Sequence, residues 1–96
     1  MYLLQVHFHG EESILSSYVV EHTKWVKNAI LDKLFILAGQ KIEGKGGVIL
    51  VVDMPESQLN ELISQDPFVK KGLASYTSCR FEPALYQDVL LNFISG

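Results

Sequence analysis

Val48-Ile49-Leu50-Val51-Val52 is the segment that most limits what this chain can become. It is apolar throughout and β-branched except at Leu50, a composition that favours a pleated strand. Alternate side chains of a strand point to opposite faces, so both faces of this one need cover. Such a strand belongs at the centre of a sheet buried on two sides. The preceding Gly44-Lys45-Gly46-Gly47 loop tolerates positive φ and predicts a hairpin to a strand over 34–43.

Other elements can be placed around that hairpin. In residues 2–9, Tyr2, Leu4, Val6 and Phe8 alternate with Leu3, Gln5, His7 and His9, as a half-buried strand requires. Gly10-Glu11-Glu12-Ser13 ends it. A helical period then runs from about Ile14 to Lys33. Leu15, Tyr18, Val19, Trp25, Val26, Ala29 and Ile30 fall within roughly 80° of His22 at 100° per residue. A histidine thus sits in the middle of an apolar stripe. Pro55 and Glu56 suit a helix's first turn, with Leu59, Leu62 and Ile63 on its inner side. Asp66-Pro67 reads as the cap and first residue of a short turn ending at Gly72, and 74–82 as a fourth, more polar strand.

The order βαββαβ is the ferredoxin-like arrangement, an α+β fold with both long helices on one face of a four-stranded antiparallel sheet. The helices are expected to run roughly parallel, which would start His22 and Asp66 toward opposite ends of the sheet. No long helix before residue 83 remains to cover the second face of 48–52, so another subunit is expected to do so. In 84–94, Leu85, Tyr86, Val89, Leu90, Leu91, Phe93 and Ile94 leave a final helix almost no polar side. Exposed, it would be an unusual apolar patch, and docking on a partner is expected. The 96 residues make one domain, with a core over 2–83 and an apolar extension over 84–96.

Composition narrows the partners. The net charge is −3 and the lysines are scattered, which disfavours nucleic acid and anionic membrane. No apolar run approaches the ~20 residues of a membrane span. The start reads as a strand and lacks the basic flank and cleavage site of a signal peptide. The single cysteine, Cys79, cannot form an internal disulfide and fits a reducing compartment, so the cytoplasm is expected. Its alternation with Thr77 and Phe81 suggests a packed thiol.

Four features could carry chemistry. Imidazole is costly to bury unpaired, and a neutral imidazole in a pocket suits proton transfer near pH 7, which marks His22. The plainer reading is a core histidine satisfied by a backbone carbonyl or by the hydroxyl of Tyr18, one turn away. Asp66 could orient that histidine as the third member of a base relay does, or could be only an N-cap. His7 and His9 share a strand face at the spacing of a two-histidine metal half-site, but a third ligand is missing and no metal is expected. The glycine loop joins two strands and so lacks the strand-to-helix setting of a phosphate loop.

Taken in order, His22-Thr23-Lys24-Trp25, Ala38-Gly39, Gly46-Gly47-Val48-Ile49-Leu50, Asp66-Pro67-Phe68-Val69, Gly72-Leu73-Ala74 and Phe81-Glu82-Pro83 form one set. Over roughly residues 2–83 it resembles the YCII-related (YciI-like) proteins of the dimeric α/β-barrel superfamily. The resemblance implies a ferredoxin-like subunit that pairs into a dimeric barrel, with a pocket histidine and aspartate at His22 and Asp66. It further implies binding of a small, often aromatic, ligand without metal or organic cofactor. His7, His9, Tyr18, Trp25, Gly39 and Phe68 are the candidate ligand contacts. The chain departs from its relatives just before the histidine, where they often carry a basic residue and Val19, Val20 and Glu21 stand here.

Two function classes follow. One is a cofactor-independent isomerase or lyase with His22 and Asp66 as acid and base. The other is a non-catalytic ligand-binding or assembly domain.

Overall fold

In a computed structural model that describes residues 1–94, four strands pair in the order β2-β3-β1-β4, each pair antiparallel. They are β1 (Tyr2–Phe8), β2 (Phe35–Gln40), β3 (Gly47–Val51) and β4 (Ala74–Arg80). The chain has the expected α+β, ferredoxin-like architecture. Helices α1 (Glu12–Ser16) and α2 (Val19–Leu31) link β1 to β2, while α3 (Glu56–Ser64) and α4 (Pro67–Lys70) link β3 to β4.

One sheet face carries the core. Tyr2, Leu4 and Val6 of β1, Phe35 of β2, and Ile49 and Val51 of β3 are buried against Ala29, Leu59 and Phe68 of the helices. Burying side chains of this size contributes ~1.5–3 kcal/mol each, so this face holds the chain together. The Tyr2 hydroxyl, buried with it, donates to the Met54 carbonyl at 2.7 Å. No helix among the described residues is long and apolar enough to cross a membrane.

The other face is open in the single chain. The strand registers align Leu37, Leu50, Leu3 and Cys79 in one row across all four strands. Leu3 and Leu37 are exposed, and Val48 and Leu50 are half-buried. The two-sided cover that 48–52 calls for is thus met on one side only. Cys79 is a free, exposed thiol on this face rather than a packed one.

Three sequence expectations need correction. The helical period over 14–33 is two helices. Ser17 and Tyr18 make i→i+3 bonds to Ile14 and Leu15, and the Ser16 and Ser17 hydroxyls bond back to the Ser13 carbonyl. Serine hydroxyls compete for backbone partners in this way, and the helix breaks there. The long helices also run antiparallel. Each doubles back on the strand before it, and β1 and β3 are themselves antiparallel. Finally, the tail is not one helix: a 3-10 turn (Asp88–Leu90) leads into α5 (Leu91–Ile94), with Leu85 96% and Val89 80% exposed. A helix this short needs a surface to pack on, and half-buried Phe93 and Ile94 find one in the cleft beside Met1 and Arg80. The last two residues of the 84–96 extension lie outside the described residues.

Candidate functional site

The antiparallel helices decide where the site forms. The start of α2 and the end of α3 reach the same end of the sheet, so His22 and Asp66 meet. His22 lies one turn into α2, its N–H bonded to the Tyr18 carbonyl at 3.0 Å. Asp66 follows α3 and caps α4, as the Asp-Pro pair predicts. Its Oδ1 accepts the Phe68 N–H at 3.0 Å. That same oxygen accepts a hydrogen bond from His22 Nδ1 at 2.8 Å. The carboxylate is therefore cap and histidine partner together. The Tyr18 hydroxyl is not the partner.

Asp66 is fully buried, and its second oxygen is also engaged. Tyr76 on β4 donates its hydroxyl to Oδ2 at 2.5 Å. Burial, reinforced by the hydrogen bond to Asp66, pushes the Tyr76 phenol far above its ordinary range. It therefore remains a donor at any ordinary pH. Three donors on two oxygens satisfy a buried carboxylate that would otherwise be costly to keep. They also fix its orientation toward His22.

The imidazole is held on its sides as well. Phe68 lies 4.8 Å from it, Trp25 5.9 Å and Phe8 6.4 Å, centroid to centroid. Its side chain keeps 18% of its surface exposed. With Nδ1 bound to an acceptor, the proton of the neutral ring sits on Nδ1 and the lone pair on Nε2. No residue among those described hydrogen-bonds to Nε2. A fixed ring with a free basic nitrogen can take a proton from a molecule beside it.

There is room for one. His22 lines a cleft of about 540 Å³ between α1, α2 and the β2–β3 hairpin, within the range of small-molecule sites. Val6, Phe8, Ile49 and Phe68 give it apolar walls, and Gly39 and Gly46 bring backbone to its edge. Gly46 has φ +123°, and a Cβ there would collide with the Val6 carbonyl oxygen, so the hairpin needs glycine to lie this close to β1.

The candidate ligand contacts divide into three pairs. Gly39 and Phe68 line the cleft with His22. Tyr18 and Trp25 pack behind it, Tyr18 edge-on to Phe68 at 6.5 Å and Trp25 edge-on to Phe35 at 5.3 Å. The Trp25 indole N–H is buried without a hydrogen-bond partner. His7 and His9 lie on the open sheet face, bonded to Thr77 Oγ1 at 3.2 Å and Ser75 Oγ at 2.9 Å. The sheet separates them from the cleft. Among the described residues no three His, Cys, Asp or Glu side chains converge as a metal site. Sequence reading missed Tyr76, although its β4 position on the face shared with Ala74 was a usable signal. It also missed Phe8 and the hairpin lysines.

A second cleft, about 480 Å³, lies at the opposite end of the sheet beside Asp53, Arg80 and Phe93. There Arg80 grips the exposed Asp53 carboxylate at 2.9 and 3.0 Å and, with the chain's first amino group, holds its pKa at about 2.

No family model matches the chain, and neither does any curated protein sequence. A solved structure does match: 5-chloro-2-hydroxyhydroquinone dehydrochlorinase (TftG) from Burkholderia phenoliruptrix AC1100, in complex with 2,5-dihydroxybenzoquinone. The two align with a TM-score of 0.68 over 88% of this chain and 96% of that one, at 14% identity. The fold is shared. It is a ferredoxin-like α+β fold, and at this identity the likeness speaks for architecture alone.

Proposed function

We propose that this protein is a single-domain, YciI-like enzyme that isomerises or eliminates from a small ring molecule by proton transfer, with His22 as base. The hydrogen bond from His22 Nδ1 to the buried Asp66 carboxylate carries the reading, because it leaves Nε2 basic and facing a cleft. In the proposed step, Nε2 takes a proton from a C–H or O–H of the substrate. The electron pair left behind forms a new double bond. The proton then returns at another carbon, or a leaving group departs with its electrons. Asp66 stabilises the imidazolium formed between these events, and Tyr76 and the Phe68 N–H keep Asp66 in place. No metal or organic cofactor is needed for such a step.

The structural neighbour supports the substrate class. It is named for loss of hydrogen chloride from a chlorinated hydroxyhydroquinone, and such a loss also needs a base for the proton. Here Phe8 and Phe68 flank His22 and suit a flat ring; Gly39 borders the same space, while Tyr18 backs Phe68 and Trp25 backs His22 without lining it. His7 and His9 have no part in it, given their side of the sheet. A homodimer working in the cytoplasm completes the proposal. The open row of Leu37, Leu50 and Leu3 supports self-association, and the exposed Leu85 and Val89 of the tail would add to it.

The test is turnover of hydroxylated and chlorinated hydroquinones, followed by chloride release and absorbance, in wild type and His22→Gln. General-base removal should cost about 10²–10⁴-fold in kcat. Equal rates, or ligand binding with no turnover of any ring tested, would leave the protein a binding or assembly domain.

A further inference from the structure

The cleft beside His22 contains a cation for which the proton-transfer reading has no use. Lys41 follows β2 at the base of the hairpin and lines the cleft with Lys45. Every other lysine is exposed; Lys41 is half-buried. Its backbone is pinned, since its N–H donates to the Gly46 carbonyl at 3.0 Å and the preceding Gln40 pairs with Gly47. The Lys41 stem passes 3.9 Å from where a Gly46 Cβ would stand. Gly46 itself is pressed on Val6, a residue of the cleft wall, so the hairpin cannot swing the lysine away without breaking that contact.

No carboxylate among the described residues pairs with Lys41 or Lys45. Among the described residues Glu12 is the one acid lining the cleft, and it comes from α1. An unpaired ammonium beside low-dielectric walls of Val6, Phe8, Ile49 and Phe68 attracts anions more strongly than it would in open water. A neutral ring would leave that charge unused.

We infer that Lys41 is the specificity-determining residue of this cleft, holding a negatively charged oxygen of the ring substrate while His22 handles its proton. The substrate class is thereby narrowed to ring acids: phenolates, enolates of hydroxyquinones, or aryl carboxylates. Lys45, exposed at the loop tip, adds a weaker and more salt-sensitive attraction. The inference deepens the proton-transfer reading of the same site and rests on it for the role of His22.

Two flat six-membered rings of different charge, compared in wild type and in Lys41 variants, isolate the contribution of the ammonium. 2,5-Dihydroxybenzoquinone is anionic at neutral pH because its hydroxyls are vinylogous acids, whereas hydroquinone is neutral. Calorimetry on the full chain should find the anionic ring bound at least ten-fold more tightly than the neutral one. Lys41→Gln should reduce that preference to within about three-fold, and Lys41→Arg should keep most of it. Neither change should alter hydroquinone affinity or the melting temperature. A wild type that does not prefer the anion, or that binds neither ring at millimolar concentration, would overturn the inference. An unchanged preference in Lys41→Gln would do the same. His22→Gln keeps the two proposals apart. It should lose turnover and keep the anion preference; unchanged turnover in His22→Gln strikes only the role of His22, and a wild type that turns rings over without the preference strikes only Lys41.

Discussion

The two faces of the sheet treat histidine in opposite ways. On the open face, His7 and His9 reach single hydroxyls of Thr77 and Ser75, both ring contacts in solvent. On the covered face, His22 meets a fully buried carboxylate that is itself held by a phenol and a backbone N–H. One residue type thus yields two chemistries. Each of the open pair has one hydroxyl partner, which can donate or accept, whereas His22 has a carboxylate partner that fixes one tautomer and one direction. The difference comes from the second layer of contacts and not from the imidazole.

The sharpest way to break this contrast is to remove the buried carboxylate. Asp66→Ala leaves His22, the Tyr76 hydroxyl and the Phe68 N–H without their acceptor. Breaking a buried charged pair costs about 3–5 kcal/mol, so urea unfolding should show a loss of that order. Asp66→Asn should lose less. A change below about 1 kcal/mol for Asp66→Ala would mean that the network is not holding this face.

Tyr76→Phe is the next step down. It removes one donor to Asp66 and should cost about 1–2 kcal/mol at neutral pH. It should also change the alkaline limb. The folded pKa of Tyr76 is raised, while tyrosine in the unfolded chain ionises near pH 10. The stability Tyr76 contributes is therefore complete below about pH 10 and is lost as pH rises beyond it. Denaturant melts from pH 8 to 11 should show a shallower alkaline loss in Tyr76→Phe than in wild type. Parallel curves would place the phenol outside the network.

The smallest effect belongs to the open face. His7→Ala with His9→Ala should change stability by no more than about 0.5 kcal/mol and leave ring binding intact. A larger loss of binding would move the site to the other side of the sheet.

Much of this contrast could be read in the sequence. The alternation in β1 put Phe8 on the covered face and His7 and His9 on the other, and the stripe around His22 pointed that residue inward. Asp66 could be read as a cap from its proline. Its meeting with His22 was also within reach, since the βαββαβ order makes β1 and β3 antiparallel and so brings the two residues to one end. The helix break at Ser17 was harder to see, because apolar periodicity carries across it while the competition comes from serine hydroxyls. The tail misled for a different reason. Seven large apolar side chains imply one continuous helix, but only the last of them, Phe93 and Ile94, settle beside Met1 and Arg80, while Leu85 and Val89 stay exposed. Lys41 was illegible, since its place in the cleft depends on how closely Gly46 approaches β1.

The most direct measurement is nitrogen NMR of the protein labelled with ¹⁵N-histidine, recorded with and without 2,5-dihydroxybenzoquinone. His22 should appear as the Nδ1–H tautomer with an unprotonated Nε2, and only its Nε2 resonance should move strongly when the ring is added, while His7 and His9 stay still. An Nε2–H tautomer at His22, or a ligand response confined to His7 and His9, would contradict the placement of the base.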